Sequence, residues 1–333
     1  MKFLIIRFSS IGDIVLTTPV IRCLKQQVQN AEVHYLTRER FKGIIESNPY
    51  VDKLHVLKDD LQQILSELNQ EKFDYIIDLH HNLRTLKVKR GLKGVPSVSF
   101  NKLNIQKWLL TALKVNVMPD VHIVDRYLET VKQFGVKNDG RGLDFFIPEK
   151  DIVPDYDIPA AQSLGYVGFV IGATHNTKKL PIYKMKELVS KINHPIILFG
   201  GPEDRAIGDE IAEMDPIKIY NSCGKFNLNE SADLVRRAKI IITHDTGLMH
   251  IAAAFKKRII SVWGNTVPAL GMTPYFGSAN IVHDQFEVKG LWCRPCSKIG
   301  YSKCPLGHFK CMNKHSIDNI IMKAEGIRGS KNE

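Results

Sequence analysis

Short apolar runs alternate with amphipathic stretches along almost the whole chain. In the first half the runs at 3–8, 32–36, 53–57, 75–79 and 97–100 predict strands, and helical periodicity fills 13–28, 60–71, 103–114 and 123–134. Strands that are apolar throughout, instead of alternating, are buried on both faces, which requires a parallel sheet covered by helices on each side. The pattern restarts later, with strands expected at 166–171, 195–199, 217–220, 240–243 and 258–262 and helices at 184–192, 204–214, 229–238 and 247–255. Between the two series, residues 146–165 carry three prolines, several acids and little periodicity, the composition of an interdomain linker.

A chain of 333 residues is too long for one ordinary core, which agrees with this division. The expected fold class is α/β, with two doubly wound, Rossmann-like domains, 1–155 and 156–333, facing each other. Ligands of such sheets bind where the carboxyl ends of the strands open into a cleft. A last helix near 316–325 is expected to cross back to the first domain.

Composition changes this picture in two ways. The apolar run at the start is broken at Arg7, too early for a signal peptide, and no run of about 18 apolar residues occurs anywhere, so the expected location is the cytoplasm. The formal net charge is +11, and its distribution is uneven. From Leu79 to Pro119 there is no Asp or Glu, while Arg84, Lys87, Lys89, Arg90, Lys93, Lys102, Lys107 and Lys114 all fall there, interleaved with Trp108, Leu109, Leu110 and Leu113. Such a segment suits the surface of an anionic bilayer, as a peripheral contact on the inner face of the cytoplasmic membrane, or a phosphate-rich ligand. A solvated basic face is the plain alternative. Nucleic acid is disfavoured, since no helix-turn-helix, RNA-recognition or zinc-finger pattern accompanies the charge.

Two segments carry candidate chemistry. In Arg7-Phe-Ser-Ser-Ile-Gly-Asp13-Ile-Val-Leu-Thr-Thr-Pro19 a strand runs into a small-residue turn and an acid at a helix start. Asp13 reads equally as a helix cap and as a general base at a strand's carboxyl end. The Gly-x-Gly-x-x-Gly spacing of a dinucleotide site is absent. In Ile241-Ile-Thr-His-Asp245-Thr246-Gly247-Leu-Met-His250 an apolar strand again meets a helix start, where exposed amides suit a pyrophosphate, and His250 lies on the first turn. A capped helix with a core histidine is the alternative.

Together these segments resemble the family 9 glycosyltransferases, which include the ADP-heptose:lipopolysaccharide heptosyltransferases, and the order of motifs fits along nearly the whole chain. The resemblance implies the GT-B fold, with the acceptor mainly on the first domain and a nucleotide-sugar donor mainly on the second. It implies Asp13 as catalytic base and Lys178 as a ligand of the donor phosphates, with Lys179 the neighbouring choice. Glu203 or Asp204, in Gly200-Gly-Pro-Glu-Asp204, would bind the ribose hydroxyls, and Asp245, Thr246, Gly247 and His250 would complete the donor site. Asp78-Leu-His-His-Asn82-Leu-Arg84 resembles the acceptor-side loop, so that Asn82 and Arg84, with the basic Lys87 and Arg90 beyond, would meet an anionic, lipid-linked saccharide. The implied reaction is transfer of a sugar, with heptose from ADP-heptose the first choice, to a lipid A–inner-core acceptor. Nothing in these motif segments resembles the Asp-x-Asp metal site of other glycosyltransferases, so no cofactor is expected in catalysis, and one base with direct displacement implies inversion. The rival readings are transfer to a protein hydroxyl and nucleotide-sugar binding without turnover.

A cysteine-rich loop at 292–311 stands apart. Cys23 and Cys223 are isolated, but Cys293, Cys296, Cys304 and Cys311 fall within nineteen residues. In a reducing compartment such crowding suits a structural Zn or Fe site or reduced, packed thiols.

Overall fold

The computed structural model describes residues 1–326. Two compact units divide the chain. The first comprises Met1–Leu103, Val121–Pro148 and Tyr275–Ala279, and the second Asn104–Asp120, Glu149–Pro274 and Asn280 onward. The change from one unit to the other near Pro148 falls inside the expected linker. The basic, acid-free stretch is divided, its part after Leu103 being counted with the second unit.

The first unit is built on β1 (Lys2–Ile6), β2 (Glu32–Arg38), β3 (Lys53–Leu57), β4 (Tyr75–Asp78) and β5 (Ser97–Ser99), all parallel, in the order β3-β2-β1-β4-β5. Leu4, Ile6, Leu36, Ile76 and Leu57 form one face of its core with Ile64, Leu68 and Val88 from the covering helices. The helix expected over 13–28 is two, Ile11–Val15 and Thr18–Gln27. Pro19 cannot donate to a continuing helix, and Thr17 Oγ1 and Thr18 Oγ1 instead donate back to the carbonyls of Ile14 (2.7 Å) and Val15 (2.8 Å). The helix expected over 123–134 likewise tightens into a 3₁₀ turn, Glu129–Phe134, closed by Gly135 at φ 77°.

The second unit carries β6 (Val167–Val170), β7 (Ile196–Phe199), β8 (Ile219–Asn221), β9 (Ile240–His244), β10 (Arg258–Trp263) and β11 (His283–Glu287). They form a six-stranded parallel sheet in the order β11-β10-β9-β6-β7-β8. Strand β11 escaped the sequence reading because its residues are polar and only partly buried, which an edge strand with one neighbour tolerates. The last helix, Ile317–Glu325, corrects an expectation. It belongs to the second unit, where Ile317, Ile320 and Ile321 join the core of that sheet and Asp318 pairs with Lys191 at 2.6 Å.

Each sheet follows the Rossmann order, so each has a switch point where the chain reverses its direction of travel across the sheet: between β1 and β4 in the first, between β6 and β9 in the second. Among the described residues no helix is long and apolar enough to cross a membrane.

Candidate active site

At the first switch point β1 and β4 end side by side, Ile6 opposite Asp78. Asp13 stands on the short helix that follows β1. It is not the cap itself: Ser10 is the N-cap, and Asp13 answers from the third helical position, its Oδ2 accepting from Ser10 N (3.2 Å) and Ser10 Oγ (2.8 Å). Its other oxygen, Oδ1, pairs with Arg7 at 2.7 Å. Arg7 is buried and fixed in turn by Leu79 O, Ser9 O and the Tyr127 hydroxyl. The carboxylate is thus held in one orientation while remaining partly exposed, with a side-chain accessibility of 22%.

The loop after β4 is equally constrained. Asp78 is buried and accepts from His80 N (3.0 Å) and His81 N (2.6 Å) while pairing with Lys89 (3.1 Å). Burial works against its charge, but the His81 amide, Thr85 and Lys89 outweigh it and its pKa falls below the ordinary value. His80 packs edge-on against Phe8, and burial, then Arg7 and Lys102, bring its pKa down to about 4, so the ring is neutral. Asn82 is occupied as a helix cap: its Oδ1 accepts from Thr85 N, and Thr85 Oγ1 accepts from Asn82 N, both at 2.9 Å. Arg84, Lys87 and Arg90 are exposed, and the Arg84 guanidinium lies 5.8 Å from the Phe8 ring centre, over the end of β1.

At the second switch point the adjacent lysines part company. Lys178 reaches Asp245 Oδ2 at 2.7 Å, directly after β9, whereas Lys179 pairs with Asp204 at 2.7 Å. Asp204 is buried, and its Oδ2 also accepts from Gly201 N at 3.1 Å. A Cβ on Gly172 would stand 2.3 Å from that oxygen, so the end of β6 accommodates Asp204 only as glycine. Glu203 is exposed beside it. Asp245 is also held by Thr266 Oγ1 at 2.9 Å, and Asp245, Thr246 and Gly247 remain partly exposed where helix Gly247–Ala254 begins. The Thr246 side chain makes no capping bond to that helix. His250 is buried with Met249 on its inner face.

Three residues of this region were not singled out from sequence. His244, buried at the end of β9, accepts from Leu180 N through Nε2 (3.0 Å) and so ties the lysine loop to the strand. Burial drives its pKa down to about 3. Thr266 is the second. The third, Arg294, sits inside the Cys-x-x-Cys segment, and it donates to Gly264 O (2.6 Å) and Thr266 O (2.8 Å) and pairs with Glu287 (2.7 Å). Only the position of His244 within the quoted motif gave a signal.

The cysteine loop is less closed than its spacing suggests. Cys311 is buried and its thiol is pushed up to about 12, first by burial and then by Cys296. Cys293 Sγ lies 3.8 Å from His308 Nε2. Among the described residues the group of potential ligand atoms lying within 4.8 Å of one another is His34, His55 and Glu71, not the four thiols. Cys23 and Cys223 are buried and isolated, as expected.

Two parallel, Rossmann-ordered sheets, each with charged groups gathered at its switch point, are the architecture of the GT-B glycosyltransferases. The sequence profile of glycosyltransferase family 9 (heptosyltransferase) matches residues 62–301, and the chain belongs to that family. It is a glycosyltransferase. It is 26% identical over 312 residues to lipooligosaccharide heptosyltransferase 2 of Haemophilus influenzae, covering 80% of this chain and 84% of that one. Among solved structures, a family 9 glycosyltransferase from Veillonella parvula superposes with a TM-score of 0.75 at 22% identity, over 98% of this chain and 96% of the other. The E. coli heptosyltransferase WaaC with ADP-2-deoxy-2-fluoro heptose follows at 0.68 and 18%, over 98% and 100%.

Proposed function

We propose that this chain transfers heptose from ADP-heptose to a lipid A–inner-core acceptor, with inversion at the anomeric carbon, on the cytoplasmic face of the membrane. The observation that carries the reading is the pairing of Lys178 with Asp245 beside an uncapped helix start at the second switch point. A donor diphosphate arriving there would exchange with the Asp245 carboxylate for the Lys178 ammonium and meet the first amides of helix Gly247–Ala254. Glu203, exposed and without the buried ion pair that engages Asp204, is the acid free to meet the ribose hydroxyls. The family to which the chain belongs, and a relative named for heptose transfer to lipooligosaccharide, support the sugar and the acceptor.

In the reaction an acceptor hydroxyl oxygen bonds to the anomeric carbon while the bond from that carbon to the β-phosphate oxygen breaks. Asp13 takes the hydroxyl proton, and the electron pair leaves with the ADP, whose growing charge Lys178 and the helix amides stabilise. Arg7 orients Asp13. Arg84, Lys87 and Arg90 supply positive charge for a phosphorylated acceptor; Asn82, used as a cap, contributes by shaping the loop. No metal is required in this scheme. Exposed apolar residues beside Lys102, Lys107 and Lys114 favour a peripheral bilayer contact, with Ile105 73% and Trp108 57% accessible. A structural metal at Cys293, Cys296, Cys304 and Cys311 is a subordinate proposal, supported by the crowding of the four thiols within nineteen residues and requiring them to lose protons and close up.

The test is thermal stabilisation against a panel of nucleoside diphosphates and their sugars, followed by transfer to lipid A cores and NMR of the product's anomeric configuration. Selective stabilisation by ADP and ADP-heptose with an inverted product supports the proposal. Stabilisation without transfer to any acceptor would favour a sugar-nucleotide binding protein, and transfer to a polypeptide hydroxyl would replace the acceptor.

A further inference from the structure

The amino-terminal ends of the first sheet, opposite in strand direction to the switch point, hold a buried cluster that sugar transfer does not use. His34 on β2 and His55 on β3 are both buried, and their rings face each other with Nδ1 of His34 2.9 Å from Nε2 of His55. The outer nitrogen of each ring meets a carboxylate: His34 Nε2 lies 2.8 Å from Glu32 Oε1, and His55 Nδ1 lies 2.5 Å from Glu67 Oε1. Carboxylates accept, so both outer nitrogens carry the proton. In neutral rings the two inner nitrogens are then both acceptors. Two lone pairs at 2.9 Å repel unless a cation sits between them.

A third donor is close by. Glu71, which follows helix Leu61–Gln70, brings Oε2 to 3.9 Å from His34 Nδ1, and the three ligand atoms all lie within 4.8 Å of one another. Two of the three edges, 2.9 and 3.9 Å, lie on either side of the roughly 3.3 Å edge of a tetrahedron with zinc–ligand bonds of about 2.0 Å, and the third, from His55 Nε2 to Glu71, is the longest, within 4.8 Å, so the Glu71 side chain must turn in to close the site. Glu32 and Glu67 stand where outer carboxylates hold metal-binding imidazoles in one tautomer and orientation. Lys2, 3.2 Å from Glu71 Oε2, and Lys53 on its other oxygen share it.

We infer that His34 Nδ1, His55 Nε2 and Glu71 Oε2 bind a divalent, zinc-like metal that clips the edge strand β3 and the end of helix Leu61–Gln70 to β2. Its role is structural, since Lys2, Glu32 and Lys53 around it are the first residues of their strands. A proton shared by the two rings is the rival cation, and it needs no third donor.

The experiment titrates Co²⁺ and Zn²⁺ into the full chain after chelation and dialysis, in the wild type and in a Cys293→Ser/Cys296→Ser variant that removes the thiol alternative. Nitrogen- and oxygen-ligand d–d bands from one equivalent of Co²⁺ are expected in both, free of thiolate-to-cobalt charge transfer in the Cys293→Ser/Cys296→Ser variant, while any such charge transfer in the wild type belongs to the cysteine loop. Zn²⁺ should raise the melting temperature by about 5 °C or more and shift the imidazole ¹⁵N signals of His34 and His55. Both effects should vanish in Glu71→Gln and His55→Gln; if either variant fails to fold, the wild-type spectra decide. No Co²⁺ bands, bands carrying only thiolate charge transfer, or a metal-free wild type with one proton shared between the two inner nitrogens would each overturn the site.

Discussion

Lys178 and Lys179 are neighbours in the chain but grip different carboxylates, Asp245 and Asp204, each at 2.7 Å. The first partner is partly exposed at a helix start and the second is buried under a glycine. One lysine is therefore available to a ligand, and the other belongs to the fold.

Their substitutions should separate accordingly. On the proposed donor site, Lys178→Ala would remove a charge-assisted contact to the phosphates and should weaken ADP binding roughly 10- to 100-fold. Lys179→Ala leaves Asp204 buried and unpaired, which costs about 3 kcal/mol of stability. Its ADP affinity, measured by calorimetry well below its melting temperature, should stay within about threefold of wild type.

The two acids of the same loop give the complementary pair. Glu203→Gln should weaken ADP binding relative to 2′,3′-dideoxy-ADP, with little change in melting temperature. Asp204→Asn should do the reverse, because the loss falls on a buried ion pair and on the bond from Gly201 N. Calorimetric titration of both nucleotides, with a melting curve for each variant, checks the split.

Arg294 links the cysteine loop to the donor motif through Gly264 O and Thr266 O, and Thr266 in turn holds Asp245. Arg294→Met keeps much of the side-chain volume and removes the bonds. It should lower the melting temperature and also raise the Kd for ADP by about tenfold, because Asp245 loses a fixed neighbour. An unchanged Kd would detach the cysteine loop from the donor site.

Acid should destabilise the protein earlier than its carboxylates alone dictate. Burial lowers the pKa of His244 to about 3 and of His80, His283 and His315 to about 4, against about 6.5 in an unfolded chain. Between those values the unfolded state binds more protons, so the stability these rings confer is complete above pH 6.5 and is lost as pH falls towards 4. Each contributes a slope of up to about 1.4 kcal/mol per pH unit. Denaturant melts from pH 7 to pH 5 should show the decline, and His283→Gln should make it shallower.

How much of this was legible in the sequence follows from what each residue depends on. Strands such as Phe3–Ile6 and Ile240–Ile242 are apolar on both faces because both faces are covered, and that pattern survives in one dimension. Strand β11 has one neighbour and a polar sequence, so nothing in His283-Asp-Gln-Phe-Glu287 separates it from a loop. At the candidate site the segments around Asp13 and Asp245 could be read because each lies in one stretch of chain. The division of labour between Lys178 and Lys179 could not, since it depends on Asp204 and Gly172 at a distance. Arg294 was hidden because three of its partners are backbone carbonyls, those of Gly264, Thr266 and Val288, which leave no mark on side-chain identity. The facing rings of His34 and His55 come from different strands, and only the register of β2 with β3 brings them together.

The central claim is that Asp13, oriented by Arg7, removes the proton from an acceptor hydroxyl. It is tested most directly by single-turnover transfer from ADP-heptose to a lipid A–core acceptor in wild type and Asp13→Asn, with donor binding measured alongside. The account predicts a rate lowered by about 10²- to 10⁴-fold at unchanged donor affinity. Transfer by Asp13→Asn at the wild-type rate would contradict it.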